Sequence, residues 1–549
     1  DGLTYTFRLR ENAKWSNGSP VRAGDFVYAW RRALLPESMA DYVKLFTFIK
    51  GAQAFYDWRN DATTRFAQDR TVTDPAERLR LARALWEETV RRFDETVGVK
   101  AVDDRTLVVT LEKPTPFFLD LCAFPLFSPL YPPLLEQYRE LNEETGAVKP
   151  NQDWTKAGRL VGNGPFELTV WRFKRDVRLD ANPHYWNTES LNIRSIAIPS
   201  VEDPNAAVLA FRTGAVDWVS DVTVPYRADM LADKQRFHKE HRAEYEALKA
   251  QGIDPMEIDR RLPRDERAFI HAFPAFGTYF YNFNCLPRLP DGRVNPFADA
   301  RVRRAFALAV NKDVISEQVR RTGEPPARLL IPEGAIGGYQ SPKGLPFDPA
   351  AGRALLEEAG FPGGRGLPPI EILFNKDAGH DVIAQAIAKM WEEHLGVSVL
   401  LQQKEIKVFR EDLKNQNFMV SRAGWYGDYG DPTTFLYLNK TGDGNNDRKY
   451  SSPRYDALLK QAEDERDPEK RMALLSEAER IIVEEDLPLI PIFHYSQIYL
   501  FDPHRITGIS SHPRAEQAIE RIDVFGDGVG AEQPVTMPPR AAPRGRGVN

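Results

Sequence analysis

Cysteine is almost missing: 549 residues carry two, Cys122 and Cys285. Two sulfurs cannot supply a disulfide framework or complete a thiolate zinc cage, which leaves a single bridge or, as we expect, two independent buried thiols. Charge of one sign is lacking as well. Lys and Arg number 73 against 79 Asp and Glu, a net charge of −6, without the positive field on which nucleic-acid binding depends, so no nucleic acid is expected as a partner. Long apolar runs are absent. The longest, residues 119–135, is broken by Asp120, Pro125, Pro129, Pro132 and Pro133, short of the roughly 20 clean residues that a membrane span needs. We expect no segment to cross a bilayer.

Catalytic signatures are equally scarce. No glycine run followed by Lys-Ser/Thr opens a helix, and the nucleophile elbow Gly-x-Ser-x-Gly does not occur, which argues against ATPase and serine-hydrolase chemistry. The glycine run at 526–530 lies in the tail with no helix after it. Residues 443–447 begin like a calcium loop, but Arg448 stands at its sixth position and Arg454 at its twelfth, where Gly and Glu are required. His238 and His241 are spaced at i and i+3 with no accompanying open-site motif. Neither metal nor cofactor is expected.

What is present suits a multi-domain globular chain. Apolar residues make up 42% and charged residues 28%, so most of the chain should fold, as several domains of roughly 100–200 residues. A strand with Tyr5, Phe7 and Leu9 alternating opens the chain without a start Met or leader, as if inside a domain. A turn follows at 16–20, and Asp25 is placed to N-cap a helix bearing Phe26, Trp30 and Ala33. A further strand is expected after it, before the next turn. From Asp74 and Pro75 a charged helix runs to about Glu95, with Leu81, Leu85 and Phe93 as one stripe; we read it as a solvated insertion.

Turn residues 162–165 open a second block with strands at 166–171, 177–179 and 193–199 and a helix at 204–213 stopped by Gly214. Residues 233–267 are dense in charge of both signs and read as an exposed helical insertion. A third block has an aromatic strand at 278–284 and helices at 299–310, 350–359, 381–395 and 469–485. These alternate with strands at 370–374, 397–402 and 489–495, which is α/β punctuation. After about Phe525 the tail lacks apolar periodicity and is expected to be disordered.

One segment stands out. Residues 421–433 place Arg422, the rings Trp425, Tyr426 and Tyr429, and Asp428 and Asp431 among small residues, in a stretch too glycine-rich for helix. Such a strand end suits a small zwitterion. Asp428 takes an ammonium and Arg422 a carboxylate, each a charge-assisted bond of about 1.5–3 kcal/mol, while the rings exclude water. A structural turn with ordinary surface ion pairs is the alternative reading of the same residues.

Residues 1–30, with Tyr5-Thr6-Phe7-Arg8-Leu9-Arg10, Ala13-Lys14-Trp15-Ser16-Asn17-Gly18 and Ala23-Gly24-Asp25-Phe26-Val27-Tyr28-Ala29-Trp30, carry a resemblance. Four further segments follow in order: Asn163-Gly164-Pro165-Phe166, Asn182-Pro183-His184-Tyr185-Trp186, Asp299-Ala300-Arg301-Val302-Arg303-Arg304-Ala305, and residues 422–433. Together they resemble the periplasmic oligopeptide-binding proteins of ABC importers, within the peptide/nickel-type extracellular solute-binding family 5. The similarity extends to about Asp523.

The resemblance implies an α/β, two-lobed periplasmic-binding-protein clamshell of the large peptide-binding type II subclass, with mixed sheets and a hinge between lobes. The division it suggests is 1–160 as a small accessory domain with part of lobe I, 161–277 as lobe I, 278–495 as lobe II, 496–525 as a return to lobe I, and 526–549 as tail. A leader and the first strands of the main lobe are expected to precede Asp1. The implied function is non-enzymatic: a monomer on the periplasmic or extracytoplasmic side of the cell membrane captures short peptides and delivers them to the ABC permease subunits. Dipeptides, nickel chelates, glutathione, haem or sugars are the alternative cargoes of the same fold, and a hydrolase is a remote alternative.

By the same resemblance Asp428 pairs with the peptide ammonium, Arg422 and His380 meet the terminal carboxylate of peptides of different length, and Tyr42, Trp425 and Tyr495 line the cleft. Tyr426 and Gly277 stand where the enteric representative has a disulfide. Leu413 and Ile406 depart from the family's second Arg and cleft Trp. Residue types alone leave other roles open: His380 heads a helix with Val382, Ile383, Ala386, Ile387 and Met390 on a core side, and Tyr42 is equally readable as a core aromatic.

Overall fold

The structure is a computed structural model, and it describes residues 2–40, 42–220, 222–376, 379–514 and 516–526. The expected disordered tail, beyond Gly526, lies outside the described residues. The chain divides into two compact units, Asp1–Val201 with Ala518–Asn549, and Glu202–Gln517.

The first unit runs β1 (Thr4–Arg8), α1 (Ala23–Ala33), α2 (Ala52–Gln68), α3 (Pro75–Thr96), β2 (Val99–Ala101), β3 (Thr106–Thr110), α4 (Phe118–Ala123), α5 (Pro132–Gln137), β4 (Phe166–Arg172), β5 (Asp176–Ala181) and β6 (Ser195–Pro199). Its strands form two small antiparallel sheets, β1-β3-β2 and β4-β5-β6. Asp25 is not the N-cap of α1. It is the third helical residue, and its carboxylate accepts the Arg22 backbone N–H at 2.9 Å and the Trp15 indole N–H at 3.0 Å. Where a strand is expected between α1 and the turn before Asp74 the chain forms the helix α2, because Ala52, Phe55, Arg59 and Ala62 recur at helical spacing and are the residues it buries.

Nor is α3 a solvated insertion. It buries Arg78, Ala82, Thr89 and Phe93, while Leu81 and Leu85 are only partly covered. The guanidinium of the fully buried Arg59 donates to Thr89 Oγ1 and to the Gly146 carbonyl, both at 3.0 Å, and pairs with Glu37 at 2.5 Å. Arg78 donates to the carbonyls of Phe66, Asp69, Glu143 and Glu144. A charged helix can be interior when each buried donor finds an acceptor, and hydropathy alone does not reveal those acceptors.

The second unit adds α6 (Pro204–Arg212), β7 (Trp218–Val219), α7 (Val224–Glu240), α8 (Arg242–Ala250), α9 (Pro255–Arg261), β8 (Ile270–Phe283), α10 (Ala300–Leu308), the single turn α11 (Lys312–Val314), α12 (Pro349–Glu358), β9 (Ile370–Asn375), α13 (His380–Leu395), β10 (Val399–Lys404), α14 (Ile406–Lys414), β11 (Val420–Tyr426), α15 (Thr433–Leu436), α16 (Pro453–Asp464), α17 (Pro468–Arg480) and β12 (Leu489–Phe501). One six-stranded mixed sheet, in the order β10-β9-β11-β8-β12-β7, organises it. The β10–β9 and β9–β11 pairings are parallel and the remainder antiparallel.

The aromatic alternation of β8 serves both faces of this sheet. Tyr279, Tyr281 and Phe283 join Phe297, Phe306 and Trp391 in one core. Phe276 and Phe280 join Phe435, Tyr455 and Leu475 in the other. The boundaries expected at 277/278 and 495/496 fall within β8 and β12, whereas the compact units divide after Val201 and Gln517.

The stretch 233–267 is helical as expected but not simply exposed. Phe237, Ile258, Leu262 and Ala268 form a small core. Beside it the carboxylate of Asp259, 1% exposed, meets Lys234 Nζ at 2.5 Å, His238 Nε2 at 2.7 Å and His271 Nδ1 at 3.4 Å. His238 is thus a carboxylate partner, and no cluster suited to a metal ion exists among the described residues. Cys122 and Cys285 are both free thiols, and no described helix is long and apolar enough to cross a membrane.

Two buried histidines bear on acid stability. His271 is held between Lys234, Asp259 and the Phe501 carbonyl, and His494 bonds Thr278 Oγ1 at 2.8 Å with Lys312 nearby. Burial pushes both imidazoles down to about 4. An unfolded histidine binds its proton near 6.5, so the unfolded chain takes up more protons between about pH 6.5 and 4, and stability falls as pH falls through that window. The melting temperature is therefore expected to drop between pH 7 and 4, with a shallower slope for His494→Gln. An unchanged slope would remove His494 from the account.

Candidate functional site

The site begins on β11. Its register sets Arg422 opposite Tyr281, Gly424 opposite Tyr279 and Tyr426 opposite Gly277 on β8. Alternate residues of a strand share a face, so Arg422, Gly424 and Tyr426 look out on one side. Glycine is needed at two of these places. A Cβ on Gly424 would run into the Tyr495 phenol oxygen, and one on Gly277 would lie 2.7 Å from Tyr426 Cδ1. The slots so formed let Tyr426 and Tyr495 stack with centroids 4.6 Å apart and planes at 11°. The positions to which the resemblance assigns a disulfide are accordingly direct neighbours across the ladder.

Cations gather on the same face. Arg422 Nε donates to the Asn375 side-chain oxygen at 2.7 Å, and its guanidinium lies 5.5 Å from the Phe409 ring centre. No described carboxylate stands within ion-pair distance of it. His380, the first residue of α13, has its Nδ1 3.2 Å from the Tyr279 hydroxyl, with ring centroids 5.6 Å apart. Arg320 lies over Phe493 at 5.3 Å and pairs with Glu324 at 2.7 Å. Burial raises the Tyr279 and Tyr495 phenols well above their usual range, opposed in both by the positive charges of Arg422 and Arg320. Fixed guanidiniums with hydroxyls among rings can hold a carboxylate and cover the apolar part of its owner.

Asp428 lies two residues past the end of β11. Its backbone N–H donates to Thr434 Oγ1 at 2.9 Å. The carboxylate is half-buried, has no donor among the described residues, and is pushed up to about 6 by burial alone. Its loop is pinned by Asp431, which accepts the Thr433 N–H at 3.1 Å and the Thr433 hydroxyl at 2.7 Å. Two Arg471 nitrogens from α17 grip the same carboxylate at 2.6 and 2.9 Å, with both side chains buried.

The structure therefore brings together Arg422, Tyr426, His380 and Tyr495 and holds Asp428 at the end of the same strand. Trp425 is not with them. It lies opposite Thr278 and packs on the other face of the sheet, against the Phe276/Phe280 core, its indole N–H buried with no acceptor among the described residues. Tyr42 belongs to the first unit, is 45% exposed, and meets Phe124 edge-on at 5.1 Å, so it is no core aromatic. Leu413 packs with Phe409 and Phe418, and Ile406 opens α14. Sequence reasoning missed Asn375, Arg320, the Tyr279 hydroxyl and the Asp431–Arg471 clamp. Tyr279 carried a signal as part of the aromatic strand, and Asp431 as part of the segment 421–433, but its pairing with Arg471 did not.

A mixed sheet that presents stacked phenols beside a carboxylate without a donor and a guanidinium without a carboxylate, among the described residues, suits a solute-binding protein. The chain belongs to family 5 of the bacterial extracellular solute-binding proteins: residues 1–447 match "Bacterial extracellular solute-binding proteins, family 5 Middle". It is 30% identical over 510 residues to the oligopeptide-binding protein OppA of Bacillus subtilis, covering 91% of this chain and 78% of that protein. Among solved structures it is similar to the Escherichia coli murein tripeptide binding protein MppA, at a TM-score of 0.69 and 28% identity over 95% of this chain and 87% of that one. Haemophilus influenzae OppA in complex with the peptide RPPGFSPFR matches at a TM-score of 0.65 and 26% identity, covering 96% and 88%. The expected fold class, that of the α/β periplasmic binding proteins, holds.

Arg471→Met should leave Asp431 buried without its counter-charge and cost about 3–5 kcal/mol. Adding Asp431→Asn to it should recover part of that loss in urea unfolding. Equal destabilisation of single and double variants would mean that the pair is not the anchor.

Proposed function

We propose that the chain is a non-enzymatic receptor that captures short peptides outside the cytoplasm, as a monomer, and delivers them to the membrane permease of an ABC importer. The observation that carries this reading is a pair of unsatisfied opposite charges at the two ends of one strand segment. Asp428 offers a desolvated carboxylate with no donor, and Arg422 a guanidinium with no carboxylate among the described residues. From Arg422 to its end at Tyr426 the strand covers about 13 Å, and Asp428 follows two residues later. A short zwitterionic peptide has complementary ends to offer the two charges. The names of the relatives, oligopeptide- and dipeptide-binding proteins and one peptide complex, support the same cargo.

In this reading Asp428 takes the ammonium, and Arg422 and His380 serve carboxylates at different reach. Tyr426 and Tyr495 cover the peptide from water, while Trp425 supports the strand from the opposite face of the sheet. Residues 161–277 with 496–525 and residues 278–495 act as the two lobes, with β8 and β12 crossing the hinge between them, and closure buries the ligand. Main-chain hydrogen bonds supply affinity that does not depend on side-chain identity, so preference for peptide sequence is weak. No step of bond cleavage is assigned to any residue.

The protonation of Asp428 sets the test. A carboxyl near 6 is increasingly neutral below that pH, and a neutral acid loses the ammonium. Affinity for tri- to penta-alanine, measured by calorimetry, is expected to fall below pH 6 by up to tenfold per pH unit. Asp428→Asn should weaken binding at pH 7.5 at least tenfold, flatten that pH dependence, and leave the melting temperature of ligand-free protein nearly unchanged, since no bond within the protein is lost. N-acetylated tri-alanine should bind as poorly to wild type as tri-alanine binds to the variant. Unaltered affinity in Asp428→Asn would reject the ammonium assignment.

A further inference from the structure

The first unit contains a second place where guanidinium groups stand without a hydrogen-bonded partner among the described residues. Arg31 and Arg32 are consecutive residues near the C-terminal end of α1, and both line a cavity of about 100 Å³. Arg139, Lys149 and Glu37 and the rings of Trp86, Trp154, Tyr28 and Tyr138 complete the charged and aromatic part of its wall. Neither arginine makes a side-chain hydrogen bond to a described residue. Arg31 reaches Asp94 at 3.8 Å, too long for one. Arg32 lies over Trp154 at 5.7 Å and has no described acid within ion-pair distance.

The nearby acids are engaged elsewhere, with only Glu37 Oε2 left buried and without a hydrogen-bond partner among the described residues. Glu37 is taken by Arg59 at 2.5 Å, Glu136 by Arg139 at 2.5 Å and by the Tyr28 hydroxyl at 2.9 Å, and Lys149 looks to Glu143 at 3.5 Å. Burial weakens the protonated state of both arginines, yet a guanidinium stays charged in proteins. Two guanidiniums carry ten N–H donors between them, and no side-chain hydrogen bond to a described residue uses them. A filled site would satisfy them.

We infer that this cavity is a binding site for a small oxyanion, a phosphate or carboxylate group, gripped by Arg31 and Arg32 and flanked by the ring faces of Trp86 and Trp154. The volume suits the anionic group itself. A neighbouring groove of about 780 Å³ shares Trp86, Arg139 and Lys149 with the cavity and includes Leu79 and Leu141, so the body of a larger molecule bearing that group has a continuous place to lie. All these residues belong to the first unit, and the inference is independent of the peptide reading, which concerns the second.

Inorganic phosphate and acetate are the probes. Titration of the full chain into phosphate at low salt, followed by the ³¹P linewidth, should show saturable broadening that acetate competes away. The broadening should persist in Arg422→Gln, vanish in Arg32→Gln and weaken several-fold in Lys149→Glu, a partly exposed charge reversal at the rim that spares the core. Calorimetry with tri-alanine should be the same for wild type, Arg32→Gln and Lys149→Glu. Absence of saturable broadening in wild type would overturn the inference. So would broadening retained in both first-unit variants, or lost in Arg422→Gln, which would move the anion to the second unit.

Discussion

A carboxylate withdrawn from water with nothing to pair with is costly, and the fold holds one in that condition at Asp428. Desolvation is the cause of its raised pKa, and among the described residues it meets neither a cation nor a hydrogen-bond donor. Such a group persists where the rest of the structure fixes it and where its partner is supplied from outside. The fixing is visible: β11 ends two residues earlier, and Asp431, bound bidentately by Arg471, ties the following loop to α17. The acid that is paired makes possible the acid that is not.

The sheet performs the complementary task. Because β11 alternates, one strand serves two purposes: Trp425 seals a core while Arg422 and Tyr426 face outward. Glycine at 277 and 424 opens room for the Tyr426–Tyr495 stack. The result is a surface of fixed dipoles and rings rather than a chemically matched pocket, which fits a receptor that recognises the ends of a ligand more than its middle.

Charge is also used inside. Arg59 with Glu37, Lys234 with Asp259, and Arg471 with Asp431 are buried or nearly so. Each is surrounded by further hydrogen bonds, the condition under which an interior ion pair is tolerable. In Arg31 and Arg32 that condition is unmet, which is why they stand apart.

Much of the order of elements was legible, for periodicity and breakers are local. The helix at 381–395 and its glycine stop, the strands at 370–374 and 166–171, and the aromatic alternation at 278–284 lie where the pattern put them. The pattern failed at α2 and α3, where buried arginines look like solvated ones until Thr89, Gly146 and the carbonyls around Glu143 come within reach from distant parts of the chain. The same limit applies at the site. Arg422, Tyr426 and Asp428 could be named because they crowd one short segment, but that Trp425 faces away from them, and that Arg320, Asn375 and Tyr495 gather around them, follows from strand register and from elements over a hundred residues apart. The amino-acid order by itself determined which groups carry charge and rings and how the chain is punctuated. Tertiary structure alone decided which of those charges are answered, because a partner is a matter of distance in space, and separation along the chain does not measure it.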